Sequence, residues 1–501
     1  MSDKIEHILV LGAGSAGFLA ALAFKRLCAN IRVTIIRSAK VPIIGVGEST
    51  TAAVPPFLHE TIGLDRGEFY RAVRPTWKLG NRFLWGSPEL SHFNYTFDTD
   101  LSVCRDNLPR ADCYFCLTDL QDATLSSALM DRGLAPCTLN QGRYTVNEVF
   151  GYHLNNRLFI EHLEQMAGQF GIEILTGDVV HAQRTATGDV GGLKLEDGRL
   201  LEADLYVDCS GFQSVLLEKT MGEKYVSYSD TLFCDRAVIG SFDRDGPILP
   251  YTTSETMEHG WCWQIEFDDY VTRGYVHSSQ FCSADEAMQE LKDKNPQLGD
   301  DLRTISFPSG RYENFWVGNV VAIGNASGFV EPLEATALHL VGELVRSVIQ
   351  TFHEGGGRVL PQIRKLQNDR YRQLWDDVRD FLAIHYKFNH WSNSPFWRHC
   401  RAAVMLHGAE PLIDFYRQAG PSELMSKFIY EESIFRRQGW LQILIGQRVA
   451  TDFDPEFTQE DWRNWNARRD RVRQQAMSAL PVREALQKLY GADSVWPHQG
   501  L

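Results

Sequence analysis

The first feature of the hydrophobic pattern is an apolar stretch without charged residues, from Ile8 to Phe24. It is shorter than the ~20 apolar residues that a membrane-spanning helix requires, and no basic segment precedes it as in a secretion signal. Evenly placed glycines interrupt it at Gly12, Gly14 and Gly17. We therefore predict a buried strand, a tight turn and a helix, followed by a second strand rich in β-branched residues at 31–36.

Further along, the spacing of apolar positions predicts alternating helices and strands. The predicted elements are a helix at 155–170, a strand at 203–209, a strand-rich region at 212–308 with one helix at 284–292, a strand at 317–323 and a helix at 332–352. From residue 361 onward, apolar positions recur at helical spacing and Arg, Gln and Trp become frequent. We therefore predict an α/β fold: a doubly wound body over residues 1–360 with the inserted strand-rich region, and a C-terminal helical lobe over residues 361–501.

The charge of the chain narrows the classes of partner. Its formal net charge is −14 at pH 7, which argues against nucleic acid or an anionic membrane as the main partner, because both need a basic face. No other apolar stretch is a candidate membrane span, so we expect a soluble, cytoplasmic protein.

The cysteines give little support for a metal site. Among ten cysteines only Cys113 and Cys116 form a CxxC pair, and a lone pair is weak support for a metal. We predict no metal site.

The turn between the first strand and the first helix carries candidate chemistry. Its residues are Gly12, Ala13, Gly14, Ser15, Ala16 and Gly17, a GxGxxG motif. The glycines permit a tight turn and a close approach to pyrophosphate, and the helix N-terminus stabilises the phosphate charge. The motif predicts a dinucleotide site, with a purely structural turn as the alternative. Arg37 and Ser38 stand where an acidic ribose ligand is usual, an arrangement that would also suit a phosphorylated ribose.

Two later segments favour FAD as the dinucleotide. Residues 203–211 resemble the strand that closes FAD domains, and residues 320–328 resemble a hydroxylase motif in which an Asp hydrogen-bonds the flavin ribityl chain. Asn325 takes the position of that Asp and can still form hydrogen bonds. No second GxGxxG motif is present for NADPH, so we expect a separate flavin reductase to supply the reduced flavin.

Four segments, in order along the chain, resemble the flavin-dependent tryptophan halogenase family. They are GVGEST at 45–50, TWKLG at 76–80, GWCWQI at 260–265 and FVEPLEAT at 329–336. Weaker similarity continues through 379–386 and 395–397, so the resemblance covers most of the chain and fades in the last hundred residues. We expect a divergent member of this family.

The resemblance implies two catalytic residues. In this family reduced FAD, O₂ and halide give hypohalous acid, a poor electrophile until a lysine donates to its oxygen or holds the halogen as a haloamine. Lys78 is the matching lysine, and Glu334 is the matching carboxylate that stabilises the ring cation or accepts its proton. Without the flanking motifs, these residues would be interpreted as an exposed lysine on an amphipathic strand and a favourable carboxylate at a helix start.

The resemblance also places a halide site on the backbone amides of Thr336 and Ala337. The family's usual ESTG is altered, because Ala335 replaces Ser and Ala337 replaces Gly. The backbone donors survive both changes, but alanine restricts φ and adds a methyl group. The further flavin contacts that the resemblance implies are Val46, Glu48, Val180 and Leu338.

A pair of tryptophans is expected to separate the flavin from the substrate. Trp261 and Trp263 match the family's WxWxIP motif, with Glu266 in place of the proline. Residues two apart in a strand share a face, so an ordinary aromatic pair is the alternative.

The expected substrate wall differs from that of tryptophan-specific members. Phe97 keeps an aromatic residue, Tyr95 stands where those enzymes carry a histidine, and Phe435 stands where a tryptophan is expected. The polar clamp for an amino-acid zwitterion is not recognisable, and a buried zwitterion without partners is costly. We therefore expect an indole-like aromatic rather than free tryptophan, unless Glu431, Glu432 or Arg436 rebuilds the clamp.

These observations predict an FADH₂-dependent halogenase that uses chloride or bromide on an electron-rich aromatic substrate. One alternative is an aromatic hydroxylase, which would reduce its own flavin with NADPH and would not need Lys78. The other is a non-catalytic FAD-binding protein, which would not explain Lys78 and Glu334 in their separate contexts. The sequence leaves the ring position, the halide and the oligomeric state open, a homodimer included.

Overall fold

The computed structural model describes residues 4–28, 30–41, 47–98, 120–140, 143–147, 149–454 and 456–491. The chain forms two compact units, each assembled from three segments. The first unit comprises Met1–Arg74, Leu154–Ser227 and Phe307–Gln373, and the second comprises Pro75–His153, Tyr228–Ser306 and Leu374–Leu501. The predicted boundary at residue 360 lies within the last segment of the first unit.

The strands and helices account for most of the described residues. The strands are β1 (His7–Leu11), β2 (Arg32–Arg37), β3 (Glu48–Ser49), β4 (Thr76–Lys78), β5 (Gly80–Leu84), β6 (Phe93–Thr96), β7 (Leu134–Asn140), β8 (Arg143–Val146), β9 (Gly151–Leu154), β10 (Glu173–Thr176), β11 (Val179–Arg184), β12 (Val190–Leu195), β13 (Leu200–Leu201), β14 (Leu205–Asp208), β15 (Tyr225–Ser227), β16 (Arg236–Asp243), β17 (Thr252–Met257), β18 (Gly260–Glu266), β19 (Tyr270–His277), β20 (Arg303–Ser306), β21 (Gly310–Tyr312), β22 (Trp316–Val317), β23 (Val320–Ala322), β24 (Gly328–Phe329) and β25 (Ala479–Pro481). The helices are α1 (Ser15–Leu27), α2 (Val54–Pro56), α3 (Arg66–Val73), α4 (Leu125–Arg132), α5 (Asn156–Gln169), α6 (Ala284–Lys294), α7 (Ala337–Glu354), α8 (Pro361–Lys387), α9 (Pro395–Ala403), α10 (Glu410–Ala419), α11 (Arg436–Gly446), α12 (Gln459–Ala476) and α13 (Val482–Tyr490). A π-helical stretch, Phe57–Ile62, follows α2, and 3-10 turns occur at Gly211–Gln213, Gly324–Ala326, Pro332–Glu334, His407–Ala409 and Glu423–Lys427.

The first unit is built on a doubly wound sheet in the order β10-β2-β1-β14-β23-β22. Its strands run parallel except β22, which pairs antiparallel with β23. Helix α1 packs against α5 and α7, while alternate β1 residues such as Leu9 and Leu11 enter a core with Val190 and Leu193 of β12. Because neighbouring strand residues point to opposite faces, the sheet is covered on both sides.

The second unit contains a mixed sheet, which we call the long sheet, in the order β20-β16-β19-β18-β17-β5-β6. Helix α6 packs on it, with Ala287 and Leu291 buried against Val238 and Tyr275. The same unit holds the antiparallel pair β4–β9 and most of the C-terminal helices.

The predicted fold class is confirmed, with two local differences. The predicted strand at 317–323 is a hairpin of β22 and β23, because Gly318 adopts φ 57 and turns the chain after Val317. The predicted helix at 332–352 starts instead at Ala337, after a separate 3-10 turn. Within the described residues, no helix is both long and apolar enough to span a bilayer.

Candidate functional site

The glycine turn of the first unit has the shape of a phosphate cradle. Gly12 has φ +121, and a Cβ there would lie 2.3 Å from the carbonyl oxygen of Cys209, while a Cβ on Gly17 would lie 1.9 Å from the oxygen of Gly12. A Cβ on Gly14 would meet nothing within 4 Å, so this side of the turn is open to a ligand. Helix α1 begins here with no side-chain cap and no acidic residue in its first turn, which leaves its amides suited to an anion.

The other predicted flavin contacts lie in the same unit. Gly324 lies close to the glycine turn, since a Cβ built on Gly324 would be 2.8 Å from the Cβ of Ala16. The turn that contains Asn325 therefore lies beside the GxGxxG motif. Leu338 is buried and Val180 is exposed on β11. Ala13 and Ser15 are half-buried in the turn itself. Val46 lies outside the described residues, as do Cys113 and Cys116.

Two charged side chains also belong to the predicted flavin region: Arg37 at the end of β2 and Glu48 on β3. Arg37, at the usual acidic position, forms an ion pair with Glu164 at 2.6 Å, so its charge already has a protein partner. Desolvation raises the pKa of Glu48 to about 7, against a hydrogen bond from Asn156 that lowers it. The cradle, the open turn and the absence of carboxylates in the first turn of α1 fit the pyrophosphate of FAD.

The predicted halide turn differs from expectation in its backbone. Glu334 is buried at the end of the 3-10 turn, and Ala335 has φ 55, in the left-handed region. Ala337 is the first residue of α7, where a helical φ suits alanine, so replacing the family's Gly by Ala costs little free energy there. The restriction on φ matters at Ala335 instead. The side chain of Thr336 does not cap α7, and no acidic residue occupies the first turn. Helix-start amides that no cap side chain or first-turn acid occupies are the kind of donors that bind an anion.

Lys78 lies in the second unit, on β4, and is fully buried. Its Nζ lies 5.6 Å from the centroid of the Phe97 ring, within range of a cation–π contact. Strand β4 pairs with β9 so that Lys78 faces Gly151 and Thr76 faces His153. The alternative of an exposed lysine is therefore wrong.

Behind Lys78 lies a chain of buried polar groups. His153 is buried, with its Nδ1 at 3.2 Å from Thr76 Oγ1 and its Nε2 at 2.9 Å from Thr252 Oγ1. The Thr76 hydroxyl donates to the backbone oxygen of Glu266 at 2.5 Å. Burial, followed by the charge of Lys78, holds the pKa of His153 well below its usual range.

The tryptophan pair occupies one face of β18, as the spacing predicted. Trp261 and Trp263 are both buried, with ring centroids 6.1 Å apart. Trp263 faces Gly274 on β19, where a Cβ would lie 1.9 Å from the indole ring. The side chain of Glu266, which replaces a proline, forms a buried ion pair with Arg244 at 2.5 Å.

The predicted substrate residues belong to a continuous set of rings, which we call the aromatic wall: Phe97, Tyr95, Phe381, Phe435 and Trp440. Tyr95 lies 6.3 Å from both Phe97 and Phe381 between ring centroids. Phe381 stacks on Phe435 and meets Trp440 edge-on at 5.1 Å. The wall runs from the ring beside Lys78 to helix α11 within the second unit.

Known proteins resemble this chain over nearly its whole length. Residues 7–460 match the family described as tryptophan halogenase. Tryptophan 7-halogenase KtzQ of Kutzneria sp. (strain 744) is 31% identical over 452 residues, which cover 84% of this chain and 83% of that protein. This chain belongs to the tryptophan halogenase family.

Solved structures agree with that assignment. MibH, a lathipeptide tryptophan 5-halogenase, is 33% identical, with a TM-score of 0.87 over 98% of this chain and 97% of that one. Xcc4156, a flavin-dependent halogenase from Xanthomonas campestris, is 26% identical, with a TM-score of 0.88 over 98% of this chain and all (100%) of that one. The chain is a flavin-dependent halogenase, an oxidoreductase, and the predictions of family and enzyme class are confirmed over the hydroxylase and non-catalytic alternatives.

The structure of this halogenase also reveals residues that the motifs did not indicate. Gly274 faces the predicted Trp263, and Phe381 contacts the predicted Tyr95 and Phe435. His153 and Trp440 reach the site one step further away, through Thr76 and Phe381. Each of these residues lies in a different segment from its partner. Lys78 and the aromatic wall come together in the second unit. The glycine turn, Asn325 and the start of α7 belong to the first.

Proposed function

We propose that this halogenase uses reduced FAD from a separate flavin reductase, with chloride or bromide, to halogenate an indole-like ring. When bound, reduced FAD supplies the two electrons by which O₂, halide and a proton become hypohalous acid and one water. The hypohalous acid then replaces a ring C–H by a carbon–halogen bond and releases a second water. Backbone amides of the Gly12–Gly17 turn would hold the pyrophosphate, with Glu48, Val180, Asn325 and Leu338 as further contacts.

The complete burial of Lys78 carries this proposal. A lysine ammonium loses much hydration free energy when buried, so a fully buried lysine calls for a task that needs its charge. In the proposed role its N–H donates to the oxygen of hypohalous acid, so that water leaves as the halogen bonds to carbon. A haloamine on Nζ is the second route that the same side chain allows.

Glu334 is proposed to accept the ring proton after carbon–halogen bond formation. A carboxylate within reach of the ring carbon stabilises the cation and takes its proton. Glu334 then gives up that proton to solvent and Lys78 regains one from solvent, so that both groups are ready for another turnover. The halide would be held by the amides of Thr336 and Ala337, at the start of α7, which has no side-chain cap and no acidic residue in its first turn.

The proposed substrate is an aromatic compound without a free amino-acid zwitterion. The alternative clamp residues are exposed: they are Glu431 and Glu432, shortly before α11, and Arg436, its first residue. The wall beside them is aromatic, with Phe435 used in a ring stack. MibH acts, by its description, on a lathipeptide tryptophan, and an indole within a peptide also lacks the free zwitterion.

The test uses photoreduced FAD, O₂, bromide and indole, with the products measured by mass spectrometry. Lys78→Ala, and Lys78→Met as its better volume match, should give no brominated product while FADH₂ oxidation and the thermal unfolding midpoint are kept. Glu334→Gln should slow turnover by about 10²- to 10⁴-fold. Normal bromination by both Lys78 variants would rule out the proposed mechanism. Rapid NADPH oxidation by the wild-type enzyme with FAD alone would rule out the separate reductase.

A further inference from the structure

The register of β4 and β9 puts three polar side chains on one face. Thr76 and Lys78 are two apart on β4 and therefore point the same way. His153 lies directly opposite Thr76, and directly opposite residues of an antiparallel pair share a face. Gly151, opposite Lys78, contributes no side chain, so the imidazole of His153 is the diagonal neighbour of the lysine. The arrangement is buried, since Thr76, Lys78 and His153 are each at most 1% exposed.

The hydrogen bonds determine which nitrogen of His153 carries its proton. The hydroxyl of Thr76 has one proton, and this proton goes to the backbone oxygen of Glu266. Thr76 can therefore only accept from His153 Nδ1, which must be the N–H. In the neutral ring Nε2 is then the acceptor, and it takes the hydroxyl proton of Thr252. The imidazole thus has no vacant acceptor to compete for the N–H groups of a neighbouring ammonium.

Burial, and after it the neighbouring positive charges, keep this ring neutral by lowering the pKa of His153. The charged side chains that act on His153 are Lys78 on β4 and Arg244, which follows β16; both are cationic and lower the pKa of the imidazole, in addition to the larger effect of burial. The backbone oxygen of Glu266 acts in the opposite direction, while its carboxylate is paired with Arg244. A second positive charge beside a buried lysine would cost free energy, so the neutral ring is the stable neighbour.

We propose that His153 is a positioning residue for Lys78, an inference that rests on the proposed role of that lysine. The chain of hydroxyl, imidazole and hydroxyl from Thr76 through His153 to Thr252 joins β4 to β17 of the long sheet. It fixes the strand that carries the ammonium and places a neutral ring with no free lone pair at its side. Hypohalous acid then meets an ammonium held at one position instead of escaping to solvent.

The decisive measurement is the brominated product formed per FADH₂ oxidised, together with free hypobromous acid caught by a trap in solution. Thr252→Val removes the hydroxyl at nearly constant shape, and Thr252→Ser restores it. Thr252→Val and His153→Ala should lower product per FADH₂ by about 10- to 100-fold, the scale of a misplaced reacting group, while trapped hypobromous acid rises and FADH₂ oxidation is unchanged. Thr252→Ser should recover most of the product, and His153→Asn, which can keep the donor to Thr76, should lie between wild type and His153→Ala.

His277→Ala is the matched control, because His277 is a fully buried histidine of the long sheet outside this chain. It should lower yield only in proportion to the folded fraction. Unchanged product per FADH₂ in His153→Ala and Thr252→Val, or losses that match those of His277→Ala, would overturn the inference. Lys78→Ala in the same assay distinguishes failure of the proposed function from failure of this inference. If Lys78→Ala still brominates indole, the proposed function is wrong. If Lys78→Ala is inactive but His153→Ala gives the wild-type product per FADH₂, only the positioning role of His153 is wrong.

Discussion

Ala335 holds a backbone conformation that disfavours alanine. Its φ of 55 lies in the left-handed region, which costs an L-residue roughly 1–2 kcal/mol. The conformation links the 3-10 turn that ends at Glu334 to the first residue of α7, and so sets where the amides of the proposed halide site begin. The sequence comparison indicated only that two residues of ESTG had changed. It could not show which of the two would be strained, because φ depends on how the turn joins the helix.

The two alanines should respond differently to glycine. Ala335→Gly relieves the left-handed strain but loses a buried methyl group, worth about 0.8 kcal/mol, and adds chain entropy to the unfolded state. The net change in unfolding free energy should be within about 0.5 kcal/mol of zero. Ala337→Gly, at an exposed helical position, should cost about 0.5–1 kcal/mol. Urea unfolding of both variants checks this, and an equal loss in both would contradict it.

Asp377 on α8 is a buried carboxyl that accepts a hydrogen bond from the Ser433 hydroxyl at 2.7 Å. Burial raises its pKa to about 7. A folded-state pKa above the unfolded value means that the stabilisation is complete below pH ~4 and is lost as the pH rises through 7. Nothing in the helical pattern of this segment distinguished Asp377 from an exposed acid.

Asp377→Asn should therefore become more stable than the wild type as the pH rises. Its advantage should grow by roughly 2 kcal/mol between pH 5 and pH 8, since asparagine can still accept from Ser433 but carries no charge to bury. Thermal or urea unfolding at the two pH values measures the difference. Asp414→Asn, at an exposed site on α10, is the control and should show no such trend. A constant difference at both pH values would refute the assignment.

At the scale of elements, β18 and β19 work as one unit around the tryptophan pair. The alternation rule correctly placed Trp261 and Trp263 on one face of a strand. The same rule could not identify Gly274 as the residue that faces Trp263. Gly274 lies on another strand, and only the register between the two strands determines this pairing. The same limit explains His153, whose partners Thr76 and Thr252 come from distant segments. Short local motifs were therefore predictable, and cross-strand support was not.

A methyl group at Gly274 should displace the indole of Trp263. Gly274→Ala should lower the unfolding free energy by about 1–3 kcal/mol, the usual cost of overpacking, and shift the tryptophan fluorescence. Gly240→Ala is the matched control on β16: a Cβ there would meet only the far ends of the Leu302 and Leu298 side chains, which can turn away. An unaltered spectrum and stability in Gly274→Ala would show that the ring does not depend on this glycine.

At the scale of the whole molecule, the acidic character of the chain bears on its substrate. With a net charge of −14, the protein offers no general attraction for carboxylates. The aromatic wall, Phe97, Tyr95, Phe381, Phe435 and Trp440, adds apolar contact and no cation of its own. The ammonium beside it, that of Lys78, is assigned to hypohalous acid in the proposed mechanism. A substrate with a free carboxylate and ammonium gains little from such a surface and loses hydration.

Indole should therefore be a better substrate than free tryptophan. With bromide, we expect kcat/KM for indole to exceed that for tryptophan by at least about tenfold, which corresponds to 1.4 kcal/mol of transition-state stabilisation. N-acetyltryptophan amide, whose ends are uncharged, should be used better than tryptophan as well. Steady-state rates under one reductase system provide the comparison. Tryptophan turned over as well as indole would exclude the proposed substrate class.

The interleaving of the two units has a consequence for synthesis on the ribosome. The parallel sheet needs β23 at residues 320–322 beside β14, although its first strands are made at residues 7–37. About 110 residues separate β14 from β23, so at roughly 5–20 residues per second the β14 edge stays unpaired for about 5–20 seconds during synthesis. No single truncation point separates one complete unit from the other, because each is made of three segments. Because an unpaired strand edge is prone to aggregation, chaperone supply during translation should affect how much of this halogenase a cell accumulates.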